Sequence, residues 1–338
     1  MCERHRRCQE HSPGALHRNV NHLPVVLATS VVRSAFEGES HGGVYLVDLH
    51  SGDCQEVVRW DYGAISWEGR GSERGLRGIA FHDGLVLIAA SDEILIYDQD
   101  FTLVDSFRND YLKHCHEVYR ENDVLWLTST GFDSVLGFDL KAGRFSIGYH
   151  ITREYPTRLA RRVRLFPNYS VRAFDPEGAD GPRVGEGLHV NHVWVDKGSL
   201  LLSGTELRHL LRVRNEHIDR FARIPEGTHN VRPFRGGILA NHTQANQIIY
   251  MSRMGRVKRS FPIRTYDEAD LDNSSLPADH ARQAFGRGLC TWRDRVVIGG
   301  SSPATISAFN FDTGERLASV NITMDVRNAI HGLEVWPF

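Results

Sequence analysis

From Leu23 to its end the chain repeats short apolar runs separated by Gly- and Asp-rich turns, and amphipathic helical periodicity is almost absent. Where nothing interrupts it, the period is about 40 residues, the size of a four-stranded propeller blade. Runs that begin apolar and end in small or polar residues stand at 25–30, 85–91, 124–129, 200–204, 238–242 and 296–301. A further run follows each of these, and several end on an acidic or Gly turn, as at 44–48, 94–98 and 135–139. The stretches 141–143 and 312–314 are hairpin turns.

The unit count is six. The N-terminal unit lacks a first strand and the C-terminal unit has only a first strand, so the two ends make one blade between them. Such closure hides sheet edges that would otherwise recruit other strands. The predicted fold is therefore all-β: a six-bladed β-propeller over residues 23–338, behind a polar tail at 1–22 that is either disordered or foreign to the native protein. A pair of β-sandwiches is the rival architecture, and it leaves the split unit unexplained.

A propeller's first strands line its central channel. Aligned on the turn that follows each first strand, the residues at the mouth read His331, Arg77, His116, His192, His229 and Gly288. The chain holds 18 histidines, and four at six equivalent positions is far above chance. His116, His229 and His331 fall on alternate blades and would approach the axis from three sides. Neutral imidazoles so placed suit a divalent transition metal with open positions, iron or zinc above all. His192 is then a fourth ligand or a proton-transfer group, and Arg77 a catalytic group that holds an anion or stabilises developing negative charge. Glu117 and Glu334 are possible supports for the ligands, although strand alternation turns Glu117 away from the face of His116. His114 and His189 are expected on the rim.

The ends of second strands return to the same face. Asn241, His242 and Glu206 are accordingly expected to contact substrate, with Ser129, Thr130 and the 33–41 loop nearby. Two insertions, at about 153–187 and 264–287, leave the ring between a fourth strand and the next first strand, so they are expected to cover or rim the histidines. The first is rich in arginine, including Arg153, Arg158, Arg164 and Arg172, with Tyr155, Phe166 and Tyr169 among them. It reads as a solvated loop, or as guanidinium forks for an anionic substrate, with Arg158 among the binding residues.

The remaining sequence mostly excludes. A formal net charge of -2 gives no global basis for binding nucleic acid, and no apolar run is long enough to span a membrane. The start has no apolar signal core, and five cysteines without regular pairing suggest free thiols, so a cytoplasmic location is expected. Cys115 and Cys290 read as packing residues. Cys2, His5, Cys8 and His11 have zinc-like spacing but no second half-site. No organic cofactor is evident, the partner is expected to be a small molecule, and oligomeric state is not specified.

The six-unit pattern resembles NHL and strictosidine-synthase-like propellers at the level of fold. The set His116, His229 and His331 is similar to the metal centre of peptidyl-hydroxyglycine amidating lyases, six-bladed propellers with zinc in the channel. Four axial histidines are also similar to the iron site of carotenoid oxygenases, but those have seven blades. Arylsulfotransferase propellers use channel histidines without such a metal, a resemblance that rests on His192, His229, Asn230 and Arg77. These resemblances imply a metal-dependent hydrolase, lyase or oxygenase. The alternatives are a metal-free group transferase and a non-catalytic binding scaffold.

Overall fold

The computed structural model describes residues 22–36, 38–61, 75–163, 167–278 and 281–338. They form six antiparallel sheets, one per blade. Blade 1 runs outward from Asn328–Val335 through Val25–Val32 and Gly43–Asp48 to Cys54–Arg59. The C-terminal strand thus closes the N-terminal blade from the channel side, as expected. Blade 2 begins with Ile79–His82, blade 3 with Val118–Glu121, blade 4 with Val190–Asp196, blade 5 with Thr228–Phe234 and blade 6 with Leu289–Trp292.

The apolar core is divided among the junctions. Six clusters of buried residues each join two neighbouring blades. Val26 and Ala28 of blade 1 meet Val296 and Ile298 of blade 6, for example, and Leu201 of blade 4 meets Ile238 of blade 5. A middle strand is covered on both faces, which is why 200–202 reads Leu-Leu-Leu rather than alternating. Each fully buried Val, Leu or Ile contributes about 1.5–3 kcal/mol. Outermost strands such as Leu103–Arg108 are largely exposed and polar.

One insertion differs from expectation. Part of the first becomes a fifth strand, Asn168–Phe174, paired along the outer edge of Arg144–Glu154 in blade 3. The periodicity is hidden because Arg144–Glu154 runs for 11 residues, past the usual blade edge, and its surplus half needs a partner. Arg158 lies in the short helix Arg158–Arg162 of the same insertion and is exposed. Arg164 and Phe166, like Cys2, His5, Cys8 and His11, lie outside the described residues. Among the described residues the cysteines are free, with Cys115 and Cys290 buried in the packing as expected. None of the described helices is long and apolar enough to cross a membrane.

Candidate active site at the channel mouth

The turn after each innermost strand fixes which residue reaches the mouth. Glu121, Asp196 and Phe234 are the last paired residues before their two-residue turns, and His116, Asn191 and His229 stand five positions earlier. The same count from His82 and Trp292 gives Arg77 and Arg287. His331 completes the set from blade 1. All six side chains are buried, between 1% and 7% exposed. The mouth is thus a closed ring in which His331, His116 and His229 alternate with Arg77, Asn191 and Arg287.

Two expected members of the ring lie one residue deeper, His192 and Gly288. For Gly288 the cause is the three-residue turn of blade 6, and for His192 it is a bulge. In blade 4 the extra residue, Asn191, precedes His192, whereas in blade 5 it is Asn230 and follows His229. Ladder pairing alone equates His192 with His229, but in depth His192 matches Asn230. Both meet Glu117: Asn230 Nδ2 donates to Glu117 Oε2 at 2.9 Å, and His192 Nδ1 stands 3.8 Å from the same oxygen. Glu117 therefore reaches into the channel rather than away from it, because the regular strand starts only at Val118. Burial lowers the pKa of His192, with Glu117 pulling the other way. Deeper still, Arg232 donates to Glu334 across the channel, from blade 5 to blade 1, and its guanidinium also lies 5.2 Å from the ring of Trp194. Below the ring the channel is thus crossed by polar contacts.

Two of the three ring histidines have a fixed tautomer when neutral. Thr130 donates its hydroxyl proton to Val190 O at 2.6 Å, so at 2.9 Å from His116 it can only accept from Nδ1–H. His114 O, 2.7 Å away, accepts from the same nitrogen. Blade 5 repeats the device: Thr243 donates to Gly286 O at 2.9 Å and accepts from His229 Nδ1–H at 3.0 Å. In both rings the lone pair is left on Nε2. Among the described residues, His331 has no hydrogen-bond partner on either ring nitrogen. Its ring centroid is 5.4 Å from that of His116.

The arginines set the charge. Burial holds His116 and His331 well below the usual histidine pKa, and Arg77 and Arg287 push both further down. His331 also feels Arg33. Both imidazoles are neutral at physiological pH beside buried cations.

The end of the second insertion reaches this ring. Phe285 packs its edge against His229, with centroids 5.5 Å apart, and gathers the guanidiniums of Arg33, Arg282 and Arg287 at 5.3, 5.2 and 4.7 Å. The end of the first insertion reaches the rim, where Glu186 is 2.6 Å from His114 Nδ1 and 3.6 Å from His189 Nδ1.

The other sequence-predicted residues take different places. Asn241 donates to the carbonyls of Arg287 and Gly288 at 2.9 and 3.1 Å, so it positions the Arg287 segment and ties blade 5 to blade 6. His242 is half-buried beside the 243–245 turn. Glu206 lines an outer cavity between blades 3 and 4, with Arg153 donating to its carbonyl at 2.8 Å. Asn191, Arg287 and Phe285 are ring and cover residues that sequence reading missed, the first because a bulge sits there in blade 4 and the second because blade 6 closes on a three-residue turn. Among the described residues, no group of three or more His, Cys, Asp or Glu side chains is disposed to hold a metal ion.

No protein-family model matches the chain. No curated protein matches it. Solved structures do. A Bacteroides caccae protein of unknown function is 10% identical, covers 92% of this chain and 98% of that one, and has a TM-score of 0.55. A streptogramin B lyase is 13% identical over 80% of this chain and 96% of that one, at a TM-score of 0.48. Virginiamycin B lyase from Staphylococcus aureus is 13% identical over 74% and 70%, at 0.42. At such identities the likeness speaks to fold alone.

Proposed function

We propose that the mouth ring is the active site of an enzyme acting on a small anionic molecule by histidine acid–base or group-transfer chemistry. The observation that carries this reading is the alternation itself: neutral imidazoles interleaved with buried guanidiniums under an aromatic cover. Arg77 and Arg287 would hold the anionic group as charge-assisted donors. His116 and His229 would present Nε2 as the basic nitrogen, able to take a proton from the substrate or to attack an electrophilic centre. His331, between the two arginines, is kept neutral and available as a second base. Glu117, His192 and Asn230 form the floor.

The fixed tautomers also favour a second reading. A histidine whose Nδ1–H is held by the protein is how metal-binding imidazoles are usually oriented. His116, His229 and His331 would have to move closer together than they stand here to supply nitrogens to iron or zinc, which would supply Lewis-acid chemistry. The adjacent guanidiniums oppose a bare cation, so this reading needs the anionic substrate to share the site.

The experiment is a pair of measurements on the same tag-free protein: metal content by plasma mass spectrometry, and intact mass after treatment with 4-nitrophenyl sulfate or 4-nitrophenyl phosphate. Nitrophenol release that is lost in His116→Ala, without stoichiometric metal, supports the first reading. About one equivalent of a transition metal, lost in His116→Ala/His229→Ala, would move the assignment to the second. No turnover of these or of a wider set of anionic substrates, in protein with or without added metal, would sink both.

A further inference from the structure

The fifth strand of blade 3 builds a second site. Between Asn168–Phe174 and the outer part of blade 4 lies a cavity of about 490 Å³, and none of the six ring residues lines it. Small-molecule sites span roughly 300–1,000 Å³. Its walls combine Tyr155 and Tyr169 with Arg153, Arg220 and Arg223. Arg153, Tyr155 and Tyr169 come from the arginine-rich insertion that the mouth ring leaves unused, and Arg220 and Arg223 from His217–Arg223, the outer strand of blade 4.

The guanidiniums are fixed without being neutralised. Arg153 donates to Glu206 O and Gly187 O, both at 2.8 Å, and Arg220 donates to Pro167 O. Carbonyls hold a guanidinium in place but carry no compensating charge. The nearby carboxylates of Glu226 and Asp219 are taken by other arginines, Arg208 and Arg212, each at 2.8 Å. Among the described residues, no carboxylate lies within ion-pair distance of Arg153, Arg220 or Arg223. Half-buried His209 reports the resulting field: burial lowers its pKa, and Arg220 and Arg223 lower it further. The aromatic faces are equally placed. Arg153 stands 5.7 Å from the Tyr155 ring and Arg220 6.0 Å from the Tyr169 ring, so planar groups of both kinds line one space.

We infer that this cavity binds a planar aromatic molecule bearing a phosphate or similar oxyanion. The ring lies against the tyrosine faces and guanidinium planes, where each stacked aromatic contact adds favourable energy. The anion meets Arg220 and Arg223, whose forks match an oxyanion's geometry. This inference stands apart from the chemistry proposed for the channel.

Isothermal titration of the full chain with 1-naphthyl phosphate tests it, with 1-naphthol and inorganic phosphate as controls. Beside binding at the channel mouth, one saturable equivalent that Arg287→Gln leaves in place is expected, bound roughly tenfold or more tighter than either control. Arg220→Gln/Arg223→Gln and, separately, Tyr169→Ala should each weaken binding by about tenfold, while Arg287→Gln at the channel leaves it unchanged. Arg220 and Arg223 are exposed, and an unchanged melting temperature will show that their variant stays folded. Three results would overturn the inference: no saturable binding, affinity no better than for inorganic phosphate, or binding that survives the double variant and disappears in Arg287→Gln.

Discussion

Thr130 and His116 are joined by a hydrogen bond whose direction is forced, because the threonine proton already goes to the Val190 carbonyl at 2.6 Å and the hydroxyl oxygen, 2.9 Å from Nδ1, can only accept. The expected outcome is a neutral His116 protonated on Nδ1, visible in its side-chain ¹⁵N shifts at neutral pH. Thr130→Val keeps the shape and removes the acceptor. It should leave His116 protonated on Nδ1, because the His114 carbonyl 2.7 Å away still accepts from that nitrogen, and cost about 1–3 kcal/mol of stability, since the bonds to Val190 O and from His116 are both lost. A wild-type spectrum showing Nε2–H would contradict the arrangement.

Acid should unfold the protein through this ring. In the unfolded chain His116 and His331 titrate near 6.5, whereas in the folded ring their pKa lies well below that. Below 6.5 the unfolded state therefore binds protons that the native state refuses, and stability falls as pH falls. Each histidine contributes a slope of about 1.4 kcal/mol per pH unit until its folded pKa is reached. Asp133 works in the opposite sense. Burial raises its carboxyl to about 6 from 3.8, so the stability that it contributes is present at low pH and is lost as pH rises toward 6. Urea titrations at pH 7.5 and 5.5 should show the histidine slope dominating, and His331→Gln should flatten it. An unchanged slope in that variant would show that His331 is not the neutral buried group described above.

The Arg232–Glu334 pair crosses the channel, and its arginine is 9% exposed while its carboxylate is 27% exposed. Burial works against the arginine's charge, but Glu334 outweighs it and raises the pKa above the usual value. Glu334→Gln leaves a buried guanidinium without its counter-charge and should destabilise by about 3 kcal/mol, at the low end for broken buried pairs because the carboxylate is partly solvated. Arg232→Met/Glu334→Leu removes both charges and should recover most of that loss. If the single and double variants unfold at the same urea concentration, the pair is not coupled.

Much of this could be read from sequence, for reasons that particular residues make plain. The blades were legible because middle strands such as 200–204 are buried on both faces and leave uninterrupted apolar runs. The shared blade was legible because 328–335 repeats a first strand with nothing after it. The histidines His116, His229 and His331 were legible as a set on alternate blades. His192 was misplaced and Asn191 hidden because a bulge shifts one strand against its neighbour by a residue without changing composition, and Arg287 was hidden because blade 6 turns over three residues, 293–295, rather than two. Phe285 could not be found at all: its role comes from where an irregular segment folds back, and no periodicity encodes that. The fifth strand was not legible either, and neither was the outer cavity beside it that Glu206 lines.

The sharpest test of how the ring is seated concerns Gly332, next to His331. A Cβ built there would lie 2.2 Å from the Arg77 carbonyl oxygen and 2.5 Å from Thr29 Oγ1. Neither neighbour can yield. Thr29 donates to that same carbonyl at 2.5 Å and accepts from Gly332 N at 2.9 Å, so the three groups lock blade 1 to the backbone of Arg77 in blade 2. Gly332→Ala must therefore push the C-terminal strand away from blade 2, and overpacking of this kind costs about 1–3 kcal/mol or more. Gly185→Ala is the control, because a Cβ there meets nothing within 4 Å. The alanine at 332 should lower the urea midpoint and displace His331 and Arg77 together, weakening sulfate or phosphate binding at the mouth, while the alanine at 185 leaves both unchanged. Loss of stability with anion binding intact would mean that the strand seat and the ring are independent, and that Arg77 is held at the mouth by something other than Thr29 and Gly332.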